Sequence, residues 1–198
     1  MVGRTRPGDA GAKVLKAAST LFYRDGIHAV GVDTVAAEAG VTKAALYGNF
    51  GSKSRLVVAY LRDRDRRWQE QVDAITAGHD DPRERVLAVF DAYEAWLSRD
   101  GYRGCAFLNA AAEFPDPADP VREVVRHHKT ALRSYLRTQL ERAGSDRADA
   151  LAEELLLLLE GTTVTSVVSR DARPFSVGKR LAETLLPAPG EQAPGTAR

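Results

Sequence analysis

Six residues in a fixed spacing offer nucleic-acid chemistry: Val35, Ala36, Gly40, Val41, Thr42 and Leu46. Val35 to Val41 reads as the first helix of a helix-turn-helix and the turn that follows. Ala36 is small enough for a second helix to cross close above it. Gly40 takes the turn, where a positive φ suits glycine. Thr42 caps the second helix through its hydroxyl. Val41 and Leu46 fill the core between the two helices. In such a unit the second helix enters the major groove and turns its N-terminal residues to base edges. A lone Ala-x-x-x-Gly says little; the joint placement of all six is far more specific.

The residues set on this frame supply the contacts. Thr42 and Lys43 sit where the recognition helix meets backbone or groove, and Thr34 is counted with them as DNA-facing. Ala44 offers only apolar contact, for instance to a thymine methyl. Tyr47 has a ring that packs on the module and a hydroxyl that can donate to a phosphate. Gly48 presents no side chain. Asn49 either hydrogen-bonds a base or phosphate or caps the helix end. Lys53 opens the next helix, where free N–H groups and the helix dipole also favour an anion. Phe50 is expected in the core.

Charge agrees with a polyanionic partner. Residues 1–67 hold 12 Lys/Arg against 6 Asp/Glu, whereas residues 68–198 hold 16 against 21. The net charge of +1 conceals this contrast, and a basic front third is the footprint of a nucleic-acid surface.

The elements that position these residues are helical almost throughout. Val14, Ala18, Leu21 and Phe22 share one helical face. Ser52 caps a long helix from about Lys53 to Ala77. Asp81-Pro82 starts another, with the stripe Val86, Val89, Phe90, Tyr93 and Leu97. A shorter helix runs from Gly104 to Glu113. Val121, Val124, His128, Leu132, Tyr135 and Leu136 mark the next, ended by Gly144. Ser145 caps a helix whose Leu155 to Leu159 run is apolar all round. Pro174 opens the last, with Val177, Leu181 and Leu185. The spacing predicts an all-α protein of about nine helices. The expected division is a DNA-binding domain over 1–53, a second helical domain over 54–186, to which the family resemblance given below assigns ligand binding and dimerisation, and a disordered tail over 187–198 rich in Pro, Gly and Ala.

Other classes find little support. No Ser/His/Asp or Cys/His set falls in a catalytic motif, and no glycine loop cradles phosphate, so no enzyme and no cofactor are expected. A single cysteine, Cys105, excludes an intrachain disulfide or a Cys-based zinc site. His127, His128 and Glu113 make a poor metal site, since a histidine on an apolar stripe is commonly a hydrogen-bonded core residue. No run reaches the roughly 18 apolar residues of a membrane span, and the front is polar and basic, so a cytoplasmic protein without a membrane partner is expected. Two alternatives stand beside DNA regulation by a ligand: a redox-responsive regulator acting through Cys105, and a helical adaptor that binds no DNA.

The stretch Gly31 to Lys53, and above all Leu46-Tyr47-x-x-Phe50-x-Ser52-Lys53, resembles the DNA-binding region of TetR-family transcriptional regulators. The resemblance implies a homodimer, a palindromic double-stranded operator, a ligand pocket in the C-terminal domain, and repression as the default sign. Two departures accompany it: Ala44-Ala45 replaces the usual Gly-Thr pair, and Gly48 stands where a larger residue is common. Direct base readout is then sparse, and indirect readout takes a larger share. Arg103 to Phe114 resembles a segment that lines the ligand side in some members. Phe90, Tyr93, Trp96, Phe107, Asn109, Glu113, His128 and Tyr135 could line a largely apolar pocket for an apolar or amphipathic effector; singly, each fits core packing better. Leu155, Leu158, Leu159, Leu181 and Leu185 are expected in the dimer interface, as part of a four-helix bundle.

Overall fold

The computed structural model describes residues 7–187. Residues 188–198 of the expected tail lie outside this range. The described residues form nine α-helices and no strand: α1 Pro7–Asp25, α2 Val32–Ala39, α3 Lys43–Phe50, α4 Lys53–Thr76, α5 Pro82–Arg99, α6 Ala106–Glu113, α7 Pro120–Arg142, α8 Ala148–Ser169 and α9 Arg173–Leu185.

Packing divides the chain into two compact units. One holds the residues up to Arg67 with Ala106–Arg126; the other holds Trp68–Cys105 with the residues from His127 onward. The division therefore falls within α4 and α7 instead of after residue 53. The reason is the first half of α4, whose Leu56, Val57, Tyr60 and Leu61 are buried. Tyr60 meets Phe22 of α1 edge-on with ring centroids 5.7 Å apart. Arg64 lies over the Tyr23 ring at 4.0 Å, and Arg67 donates to Ser19 Oγ at 3.0 Å.

In the first unit, Val14, Ala18, Leu21 and Phe22 of α1 are buried along the face that their spacing predicts. Ser52 Oγ accepts from the Arg55 amide at 3.1 Å, capping α4 as expected. In the second unit, Val86, Val89, Phe90, Leu132, Leu136, Leu155, Leu159 and Phe175 form one hydrophobic core. Each such side chain contributes about 1.5–3 kcal/mol relative to an exposed one. Asp81 Oδ1 accepts from Arg83 N at 2.8 Å and Pro82 fills N1, the start that Asp-Pro predicts. Ser145 differs from expectation. Its Oγ accepts from Arg147 N at 3.2 Å in the loop, and α8 begins only at Ala148. At the crossing of α8 and α9, a Cβ on Gly178 would stand 2.4 Å from Thr162 Oγ1, so only glycine lets the two helices approach so closely.

Candidate functional site

The helix-turn-helix is built by local capping. Gly40 ends α2 in the left-handed region, φ 63° and ψ 36°. Its amide donates to Ala37 O at 3.1 Å, and the Val41 amide donates to Ala36 O at 3.0 Å. The turn thereby satisfies carbonyls that α2 leaves open. Thr42 Oγ1 accepts from Ala45 N at 3.1 Å and starts α3. Val35, Ala36 and Leu46 are buried between the helices. With that face committed, Lys43, Ala44, Tyr47 and Gly48 share the opposite, exposed face of α3. Thr34 is exposed in the first turn of α2, and Phe50 is only half-buried.

Three polar residues carry obligations of their own. Lys43 Nζ pairs with Asp33 at 2.9 Å. The hydrogen bond to Asp33, then its charge, holds this ammonium above the ordinary lysine range. Asn49 Nδ2 donates to Ala45 O at 2.7 Å, so the residue is engaged within its own helix. Lys53 Nζ reaches back 3.5 Å to the carbonyl of His28 in the loop after α1. Partial burial pushes its pKa down, and the nearby Glu113 carboxylate opposes that.

Glu113 accounts for the loop. Its carboxylate accepts from Ile27 N at 2.9 Å and His28 N at 2.6 Å, and faces His28 Nδ1 at 3.3 Å. The His28 ring rests on Phe114, centroids 4.8 Å apart. The residue expected at a ligand is therefore a clasp: it ties the end of α6 to the chain that leads into α2. Phe107 is buried and Asn109 half-buried in the same unit.

Two basic side chains that the motif did not single out join this surface. Arg55 and Arg62, seven residues apart on one exposed face of α4, line a groove of about 750 Å³ with Tyr47, Gly48 and Asn49. Their spacing was the available signal.

The remaining expected ligand residues lie in the second unit. Phe90 is buried in its core, and Tyr135 packs partly buried against it. Trp68 gathers the others: Tyr93 at 4.4 Å, Trp96 at 5.7 Å and His128 at 6.5 Å, all edge-on. Beside them stands a polar group that periodicity does not reveal. Lys129 Nζ donates to Glu160 Oε1 and, at 3.4 Å, to Cys105 Sγ. Burial works against the Lys129 charge, but Tyr93, Cys105 and Glu160 together hold it above the ordinary lysine range. Burial pushes the Tyr93 phenol above the usual tyrosine range, with Lys129 opposing. Among the described residues no three His, Cys, Asp or Glu are grouped to hold a metal ion. No described helix is long and apolar enough to cross a membrane.

Of the leucines expected at an interface, Leu155 and Leu159 lie in the core of their own unit, 0% and 1% exposed. They correct the expectation, because α8 is covered on that side by its neighbours. Leu158 is half-buried, and Leu181 and Leu185 are exposed.

Comparison with known proteins agrees with this architecture. Residues 14–60 match the family described as bacterial regulatory proteins, tetR family. Residues 82–181 match the tetracyclin repressor-like C-terminal domain. The crystal structure of SCO4454, a TetR-family transcriptional regulator from Streptomyces coelicolor, is 34% identical, covers 90% of this chain and 94% of that one, and superposes with a TM-score of 0.84. The regulator LmrA of Bacillus subtilis is 23% identical over 85% of this chain and 92% of its own. The regulator YjdC of Escherichia coli is 27% identical over 52% of this chain, a match spanning about half (54%) of that protein. A helix-turn-helix with this capping, joined to a helical C-terminal region that matches the family in its own right, makes the chain a member of the TetR family of transcriptional regulators, DNA-binding proteins and not enzymes.

Proposed function

We propose that the protein is a dimeric, ligand-responsive repressor that binds a palindromic operator and leaves it when a small apolar or amphipathic effector binds. One observation carries the reading. Opposite the buried leucines, α8 exposes Leu157, Val164 and Val168, and α9 exposes Val177, Leu181 and Leu185. These are the largest exposed apolar side chains of the second unit, and they fall at helical spacing on one face of each helix. A second copy of the same face would cover them as an isologous four-helix bundle. A helix-turn-helix reads few base pairs alone; two copies about 34–36 Å apart read two half-sites on one side of the duplex. Thr34, Thr42, Lys43, Ala44, Tyr47, Gly48, Asn49 and Lys53 remain the proposed DNA-facing set, joined by Arg55 and Arg62. Phe90, Tyr93, Trp96, His128 and Tyr135 remain the proposed effector-facing set. The proposed place of action is the cytoplasm, where the operator is.

Sedimentation of the parent and of Leu157→Glu and Leu181→Glu variants tests the assembly. The parent should sediment as a dimer at micromolar concentration. Each variant should shift to monomer and lose operator binding with its helix content intact. A monomeric parent that holds an operator at full affinity would remove this mechanism.

A further inference from the structure

We propose that Arg55 and Arg62 form a track for the phosphates of one DNA strand, on the side of α4 turned away from Lys53. The track rests on the DNA-binding reading above and says where the duplex backbone is held. Its seat is the groove of about 750 Å³ between the end of α3 and the first turns of α4. Tyr47 and Asn49 line the α3 end, Ser54 and Arg55 the start of α4, and Arg62 lies two turns further on. No Asp or Glu is among the lining residues, so the groove complements a polyanion. Arg55 and Arg62 are exposed, and among the described residues neither guanidinium has a hydrogen-bond or ion-pair partner.

The neighbouring cations are already engaged. Arg64 lies over the Tyr23 ring. Arg66 and Arg67 both pair with Asp63, at 2.7 and 3.0 Å, and Arg67 also donates to Ser19. Of the arginines in the run 62–67, Arg62 is the one whose charge is left for a partner from outside. Arg55 and Arg62 are seven residues apart, so they share a face and stand about 10.5 Å apart along the helix. At 3.4 Å per phosphate along each strand, that distance covers about three base pairs. Only the short side chains of Val58 and Ala59, both half-buried, lie between them in the groove. Arg55 Nη1 lies 3.2 Å from where a Cβ on Gly51 would stand, so its guanidinium folds over the turn that ends α3. Lys53 is nine residues before Arg62, two and a half turns at about 3.6 residues per turn, and so points the opposite way, to the His28 carbonyl. Lys53 and the arginine pair therefore meet different phosphates. The exposed face of α3 offers Ala44 and Gly48, which cannot hydrogen-bond a base through a side chain, so affinity falls more heavily on backbone contacts of this kind.

The test selects a duplex from a random pool with the full-length parent at low salt and maps its phosphate contacts by ethylation interference. Arg55→Ala and Arg62→Ala should each weaken binding several-fold and each abolish interference at a separate phosphate. The two phosphates should lie on one strand, about three base pairs apart. Lys53→Ala should abolish interference at a third phosphate, distinct from both. The double variant Lys53→Ala with Arg62→Ala should lose the product of the two single losses, as independent contacts do. Arg62→Lys should keep most of the binding, because an ammonium also meets phosphate as a point charge. Arg66→Ala should leave the interference pattern of the parent, since its charge is paired with Asp63. An interference pattern unchanged in Arg62→Ala overturns the track, as does loss of one and the same phosphate in Lys53→Ala and Arg62→Ala. An equal loss of binding in Arg66→Ala also overturns it, because general charge would then be the cause. In each of these outcomes DNA binding itself stands. Failure of the parent to select any duplex overturns the DNA reading, and the track with it.

Discussion

Each unit brings one lysine near one glutamate, with opposite outcomes. Near the helix-turn-helix, Glu113 spends both oxygens on the amides of Ile27 and His28, so Lys53 gains only a distant attraction and a carbonyl. Burial then dominates and its pKa falls. In the second unit, Glu160 meets Lys129 directly, and although burial still opposes the charge, the pKa rises. Partial burial alone does not decide whether a lysine stays charged. What decides it is the company the charge keeps: Tyr93 first, then Cys105 and Glu160, hold the Lys129 ammonium, whereas only the distant Glu113 supports that of Lys53. Glu113 is a backbone clasp that happens to be anionic; Glu160 is a counter-ion.

The largest expected effect removes the counter-ion. The Lys129 and Glu160 side chains are only 18% and 21% exposed. Glu160→Ala should therefore leave an uncompensated ammonium in the interior and cost about 3 kcal/mol in urea unfolding. The double change Lys129→Met with Glu160→Leu should recover most of that, because an apolar pair of similar volume needs no desolvation. A double variant as unstable as the single one would show that packing, not charge, sets the cost.

The clasp comes next. Glu113→Ala strands the amides of Ile27 and His28 and should cost about 2 kcal/mol, the scale for hydrogen bonds to a charged group. Glu113→Gln keeps one good acceptor oxygen and should lose roughly half as much. Hydrogen exchange at Ile27 and His28 should rise in Glu113→Ala. If those two amides stay protected, the clasp is not what holds the loop.

The clasp also shows where sequence reading stops. Gly40, Thr42 and Leu46 were legible because a turn, a cap and a packed helix pair are settled by residues a few positions apart. Glu113 and Ile27 are 86 residues apart, and nothing local links them. Lys129 and Glu160 are 31 apart, and neither falls on an apolar stripe. In α8 the difficulty is different. A run of five leucines has no polar face, so periodicity could not separate Leu155, 0% exposed, from Leu157, 68% exposed. Only the arrival of neighbouring helices distinguishes them.

A smaller effect separates the two roles of Lys53. Lys53→Ala removes one long bond to His28 O and should change stability by less than about 0.5 kcal/mol, as exposed polar contacts do. If Lys53 also neutralises a phosphate, the magnitude of the salt slope of DNA binding should fall by about one unit. That fall is the expected result. Arg55→Ala and Arg62→Ala should each show the same, weakening specific and nonspecific duplexes alike. A slope unchanged in Lys53→Ala would confine this lysine to the loop.

The smallest effect is spectroscopic. Burial raises the Tyr93 phenol above the usual tyrosine range, so the folded state keeps its proton where the unfolded chain, near pH 10, releases it. Above that pH the unfolded state binds fewer protons, and the stability associated with Tyr93 declines as pH rises. Below pH 10 both states are protonated and the contribution is fully present. The raised Lys129 acts in the same direction above its ordinary value near 10.4. Tyrosinate absorbance from Tyr93 should therefore appear only late, in step with alkaline unfolding. Tyr93→Phe should remove that late increment. In the Glu160→Ala background the Lys129 charge faces Tyr93 without its counter-ion, so the late increment should move to lower pH. A late increment that stayed in place there would mean that desolvation alone governs the phenol, and that the ammonium beside it has no electrostatic hold on this cluster.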